Sequence, residues 1–239
     1  MDLFTDPDLF RVINTYTHLQ SLCDTCTVLS TLKKYITYKL NEKYSLMYYN
    51  DMLFRQQVLN KIYIPNKQLH LDLNNCNQIT DVSVLGNVYK LNLTYCENIT
   101  DVSALGNVHT LDLSDCKNIT DVSALGNVHT LILKCCKNIT DVSALGKVHT
   151  LDLSSCDKIT DVSMLGNVYN LDLSWCDKIT DVNALGNVHI LNLGGCNQIT
   201  DVSALGNCHT LDLCLSNKIT DVSMLGNVYE LHLPYRLMM

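Results

Sequence analysis

The sequence predicts an α/β solenoid, an array of repeats with one long parallel sheet, preceded by a small α-helical cap or domain. Three observations lead there. Residues 71–230 form eight consecutive units of 20 residues without insertion or deletion, and Leu231 opens a truncated ninth. Within a unit the apolar positions are spaced 2, 3, 3, 3, 3 and 3, the period of neither one strand nor one helix. A single coil cannot bury such a row by itself, so stacked coils must share a continuous core.

The chain divides into residues 1–60, helical, and residues 61–239, the array. Residues 5–16 read as a short helix: Thr5 caps it, Pro7 lies in its first turn and Asp8 stands in the capping-box position. Leu9, Phe10, Ile13 and Tyr16 form its apolar stripe. A second helix is expected over 18–29 through Leu19, Leu22, Cys26 and Leu29, and a third through Leu32, Tyr35, Ile36 and Leu40. A fourth is expected from Ser45 to Asn60 with Leu46, Tyr49, Leu53 and Leu59 inward. About 60 residues make a marginal independent core, so this bundle is expected to lean on the first coil. Ile62-Tyr63-Ile64 and then Pro65-Asn66 read as a strand and a turn into the array.

In the first unit the inward set is Leu71, Leu73, Cys76, Ile79, Val82, Leu85 and Val88. The two leucines flank one residue, as in a short strand, and successive strands are expected about 4.8 Å apart in a parallel sheet. The steps of three suit a chain that bends around a core. Thr80-Asp81-Val82-Ser83 recurs nearly unchanged, and its aspartate is read as a turn cap. A calcium ladder would need six to eight oxygens per ion, more than one carboxylate per coil provides. Gly-Asn recurs in seven of eight coils, with Lys147 replacing the asparagine once, and is read as a bend back to the sheet.

Twelve cysteines would suit a disulfide scaffold, but seven of them hold one repeat position: Cys76, Cys96, Cys116, Cys136, Cys156, Cys176 and Cys196. A line of thiols one strand apart cannot wrap a metal tetrahedrally, so the row is read as reduced and structural. Serine in such a slot is expected to leave a poorly satisfied hydroxyl. Cys23 and Cys26 fall within a helical stripe and are read as packed thiols. His109, His129, His149, His189 and His209 share a position with Tyr89, Tyr169 and Tyr229, and are read as a polar-aromatic flank at the sheet edge that is sensitive to pH. No Ser, His or Asp breaks the pattern to form a unique constellation, so no enzyme, cofactor or metal site is expected.

Variation within an otherwise uniform repeat marks the exposed sheet face. Between the leucines stand Asp72, Asp112, Ile132, Asp152, Asp172 and Asp212, with Asn92, Asn192 and His232 in the other coils. Two residues after the second leucine come Tyr95, Asp115, Trp175, Leu215 and Tyr235, with Asn75, Cys135, Ser155 and Gly195 elsewhere. Aromatic anchors beside carboxylates suit a protein interface. Drift at positions of no consequence is the competing reading.

Residues 1–70 carry a net charge of +2 and residues 71–239 one of −9. An acidic array argues against nucleic acid as the main partner. Nothing approaches 18 consecutive apolar residues, so no membrane span is expected. The N-terminus lacks a basic flank and a cleavage site, which points to a cytoplasmic protein. Leu237-Met238-Met239 is a poor polar cap, so the C-terminal end is expected to self-associate, meet a partner or fold back over the last coil.

These units resemble the leucine-rich repeat family. Cys96 to Asp101 is similar to its cysteine-containing repeats, and the short return through Asp-Val-Ser-x-Leu-Gly-Asn to the compact repeats of internalins. The resemblance implies a curved solenoid whose concave sheet binds another protein. Residues Pro7 to Cys26 resemble an F-box, which implies docking of Leu9, Phe10, Ile13, Leu19 and Leu22 to a Skp1-like adaptor and a role as substrate receptor of a cullin-type ubiquitin ligase. This pairing is similar to proteins of large DNA viruses. The alternative is a plain binding or decoy solenoid whose N-terminal helices only cap the core.

Overall fold

In the computed structural model, residues 37–61 and 68–237 are described. The first two expected helices, the Ile62-Tyr63-Ile64 strand, Cys23, Cys26 and the five F-box-like residues lie outside them. The described residues fall into two compact units, one taking in those up to Leu73 together with Val88–Leu91, the other Asn74–Asn87 and everything from Asn92 onward.

The first unit departs from the sequence reading in two places. Thr37–Lys39 is a strand, β1, where a third helix was expected, and it pairs in parallel with β2, Gln68–Asp72. The fourth helix is two helices, α1 over Glu42–Asn50 and α2 over Met52–Lys61. Asp51 separates them: its extended backbone ends α1, while its Oδ1 accepts the N–H groups of Leu53 and Phe54 to start α2. Tyr44 and Tyr48 are the inward residues of α1, in place of Leu46 and Tyr49, and the restart at Asp51 then slips the phase, so Phe54 and Val58 face inward and Leu53 lies 67% exposed. Buried Ser45 accepts the Asp72 N–H and donates to the Leu40 carbonyl.

The coils follow a single rule. After β3 (Lys90–Asn92), the strands β4 (Thr110–Asp112), β5 (Thr130–Ile132), β6 (Thr150–Asp152), β7 (Asn170–Asp172), β8 (Ile190–Asn192), β9 (Thr210–Asp212) and β10 (Glu230–His232) form one parallel sheet in chain order within the second unit. The register pairs like with like, Leu111 with Leu131 and Leu131 with Leu151.

After each strand the spacing of three becomes a series of tight turns. The N–H of Cys96 donates to Leu93, Ile99 to Cys96, Leu105 to Val102 and Val108 to Leu105. One inward residue therefore stands at each corner, and each corner's backbone is satisfied locally. Between Ile99 and Val102 the cap is a side chain, Asp101 Oδ1 accepting the Ser103 N–H at 2.8 Å. The same bond recurs from Asp81 to Asp221, as the turn-cap reading requires.

The core is the predicted set. Leu113, Cys116, Ile119, Leu125, Leu131 and Leu133 are all 0% exposed. Each buried leucine contributes on the order of 2 kcal/mol, and truncating one to alanine costs about 2–5 kcal/mol.

The Gly-Asn pair forms the expected turn, and its glycine has a further cause. Gly86 and its equivalents through Gly226 have ordinary right-handed backbone, Gly206 as part of a 3-10 segment. What excludes a side chain is the next coil: a Cβ on Gly126 would lie 2.4 Å from the Ala144 carbonyl oxygen, whereas one on Gly226 would meet nothing within 4 Å.

Candidate functional site

The exposed sheet face carries two rows. In the first, the residues between the leucines are half-buried from Asp72 to Asp212, and most of them serve the fold. Oδ1 of Asp112, Asp152, Asp172 and Asp212 accepts the N–H two residues on, as does that of Asn92 and Asn192, at 2.7–3.0 Å. The side chain thus closes the turn that ends the strand, and its second oxygen or amide nitrogen remains on the face. Asn192 Nδ2 donates to Asp172 Oδ2 at 3.0 Å, and Asp212 Oδ2 lies 3.6 Å from His232 Nδ1. Ile132 alone in this row has no acceptor to offer its turn.

The second row holds a feature that the sequence reading missed. Asn75, Tyr95, Asp115, Cys135, Ser155, Trp175 and Leu215 all have φ between 56° and 64°, and Gly195 has 76°. For Tyr, Trp, Leu and Cys this left-handed backbone costs about 1–2 kcal/mol each. A ladder offsets it: the N–H of Tyr95 donates to Ser114, Asp115 to Lys134, Cys135 to Ser154 and Trp175 to Gly194, at 2.8–2.9 Å. Asn, Asp and Gly at three of the eight positions were the available signal, since these residues tolerate that region best.

The left-handed turn lifts the larger side chains off the core. Tyr95 is 50%, Trp175 51% and Leu215 55% exposed. Trp175 is seated across the next coil: a Cβ on Gly195 would fall 2.7 Å from its Cδ2. Asp115 and Cys135 are half-buried in the same row. Tyr235 departs from it, lying in a 3-10 turn over Tyr235–Leu237. There Arg236 donates to the Ile219 carbonyl, so this segment folds back on the last coil.

Behind the face, the thiols of Cys96 through Cys196 are buried and free of disulfides. Those of Cys116 through Cys196 each donate one coil back, Cys116 Sγ to the Leu93 carbonyl at 3.2 Å and Cys136 Sγ to Leu113 at 3.1 Å. Burial pushes their acidity down, the Cys96 thiol to a pKa of about 11 and the Cys116 and Cys196 thiols to about 12. In the last full coil Ser216 holds the slot and donates to the Leu193 carbonyl at 2.7 Å. Serine is therefore satisfied there, which corrects the expectation of an orphaned hydroxyl.

Along the strand edge, His109, His129, His149, Tyr169, His189, His209 and Tyr229 form one continuous stack with ring centroids 4.6–4.9 Å apart. Burial first, and then the neighbouring His129, lowers the pKa of His109. Among the described residues no three His, Cys, Asp or Glu side chains converge as a metal site, and no helix is long and apolar enough to cross a membrane.

Comparison with known proteins agrees with this architecture. The family model described as Leucine Rich repeat matches residues 107–126 and 147–165. Among solved structures, internalin C2 from Listeria monocytogenes is 26% identical with a TM-score of 0.54, covering 74% of this chain and 83% of its own. An internalin (inlF) of the same organism is 21% identical with a TM-score of 0.43, covering 70% of this chain and 67% of its own. No curated protein matches the chain. The fold is a leucine-rich repeat array of short, internalin-like coils with a small helical element before it.

Proposed function

We propose that the chain is a non-enzymatic protein-binding scaffold whose partner docks on the exposed sheet face. The observation that carries this reading is the left-handed row. Tyr95, Trp175 and Leu215 are held half-exposed, at backbone cost, on a rigid sheet whose other exposed groups are mainly acidic or polar. Rigid aromatic anchors with a polar surround suit protein recognition, because little side-chain entropy is lost on docking. Asp72, Asp112, Asp115, Ile132, Asp152, Asp172, Asp212 and Tyr235 would complete the contact region.

A more specific reading comes from residues 7–26, whose likeness to an F-box supports a cytoplasmic ligase receptor that meets a Skp1-like adaptor. Affinity purification from host-like cytosol tests both readings. Loss of a bound protein in the Tyr95→Ser, Trp175→Ser, Leu215→Ser variant, with binding kept in Met164→Ser, Met224→Ser, supports the face. The reverse pattern contradicts it. Recovery of adaptor and cullin with the full chain but not with residues 61–239 supports the ligase reading, and a folded chain without them contradicts it.

A further inference from the structure

Coils 171–190, 191–210 and 211–230 break the repeat together. The second row there reads Trp175, Gly195, Leu215, and the position before it Ser174, Gly194, Cys214. Gly194 leaves a gap in the face beside the indole of Trp175, which covers the buried Gly195. We infer that this notch is a binding site for an arginine side chain of the partner protein, with the guanidinium against Trp175 and an apolar neighbour against Leu215. The inference deepens the docking-face reading and rests on it.

The chemistry of the notch favours a cationic donor. A Cβ on Gly194 would point among oxygens, 3.1 Å from Asn192 Oδ1, 3.4 Å from the Cys214 carbonyl and 3.8 Å from Asp212 Oδ1. Elsewhere in the array a hydroxyl occupies that space: Thr94 Oγ1 donates to Asn92 Oδ1, and Ser114 Oγ to Asp112 Oδ1, both at 2.6 Å. At Gly194 no hydroxyl is present, and only the backbone N–H, at 2.9 Å, reaches Asn192 Oδ1 from that residue. An outside donor finds room there. The carboxylates of Asp172 and Asp212 flank Asn192, and the two rows of these three coils contain no lysine or arginine to neutralise them.

Arginine fits better than lysine. Its planar group stacks on an indole while its N–H fork reaches acceptors beside the ring. Gly195 is what keeps the indole low: any Cβ there would displace the ring from its seat. The paired glycines and the single tryptophan of the chain thus act as one unit.

Trp175 is the only tryptophan, so its fluorescence reports the site directly. The probe is a blocked Gly-Arg-Leu-Gly peptide, titrated against the full chain beside versions with citrulline, lysine or leucine in place of arginine. The expected result is a saturable change in Trp175 emission, weakened by salt and about tenfold weaker with citrulline, which loses the charge. Gly194→Ser, which installs the hydroxyl found at Ser114, Ser154 and Ser174, should weaken binding at least about threefold by occupying the acceptors. Asp172→Asn, which keeps the turn as Asn92 and Asn192 do, should weaken it similarly while leaving the urea midpoint unchanged. An unsaturable response, equal responses to arginine and citrulline, or indifference to both substitutions would overturn the inference. A partner captured through Tyr95 or Asp152 while the arginine peptide leaves Trp175 silent overturns the arginine site alone. Absence of any protein on the sheet face overturns the broader reading.

Discussion

The indole of Trp175 lies over the backbone of Gly195, so close that a methyl group on Gly195 would sit 2.7 Å from the ring. Large and absent side chains on adjacent coils are thus coupled. Gly195→Ala should cost about 1–2 kcal/mol, from left-handed strain as well as the collision. It should also expose Trp175 and shift its emission to the red, whereas Ser155→Ala should leave emission unchanged. Fluorescence spectra and urea melts of the two variants check this.

The glycine before each asparagine offers a comparison within one molecule. Gly126→Ala drives a Cβ to 2.4 Å from a backbone oxygen that cannot move without its coil, and should cost about 2 kcal/mol or more. Gly226→Ala meets nothing within 4 Å and has right-handed backbone, so it should be neutral or stabilising by about 0.4–1 kcal/mol. Equal destabilisation in thermal melts would refute the close-approach account.

The thiol row should be inert. In a Cys23→Ser, Cys26→Ser background, a maleimide should label half-exposed Cys135 and Cys214 in the native state and spare Cys96 to Cys196 until unfolding. Mass spectrometry reads this directly. Because Ser216 shows the hydroxyl satisfied in the same slot, Cys136→Ser should cost about 1 kcal/mol or less. Cys136→Ala, which abandons the Leu113 carbonyl and leaves a void, should cost about 1–2 kcal/mol.

Acid should destabilise the array in two windows. His109 has its pKa lowered in the fold, by burial first and then by His129, so folding favours its neutral form. The stability it contributes is full above the unfolded value near 6.5 and is lost as pH falls through the folded value. His70 behaves alike, through burial and then Lys90 and Lys39. The turn-capping Asp101, Asp121 and Asp141 are held below the ordinary aspartate value of 3.8, chiefly by the serine N–H two residues on. Their contribution is present above that value and lost below it. Urea midpoints should fall between pH 7 and 5 and again below pH 4, and His109→Gln should reduce only the first step.

Ile132 offers no side-chain acceptor to the turn that Asp112 and Asp152 cap in the neighbouring coils. Ile132→Asp should restore that cap and stabilise the fold by about 0.5–1 kcal/mol. A chemical melt checks it, and destabilisation would show that the isoleucine packs for structural reasons.

The core was legible because its cause is a period: Leu111, Leu113, Cys116, Ile119, Val122, Leu125 and Val128 recur at spacings that only a bending chain can bury. Features set by one local contact were less so. Helical periodicity over Ser45–Asn60 concealed the restart at Asp51, because a capped break slips the phase without erasing the pattern. The variable row was read as surface, but its left-handed backbone was missed, because Tyr95 and Trp175 outweighed the hint from Asn75, Asp115 and Gly195. The carboxylates between the leucines look free in sequence, yet Asp112, Asp152, Asp172 and Asp212 each give one oxygen to a turn.

Site-specific photocross-linking tests the central claim, that the sheet face is the docking surface, most directly. A benzophenone side chain replaces Ser155, between Cys135 and Trp175 in the left-handed row, or else Met164, on the flank of 3-10 segments. The account predicts a discrete protein adduct from position 155, reduced by Trp175→Ser, and none from 164. An adduct from 164 alone, or equal adducts from both positions that ignore Trp175, would contradict it.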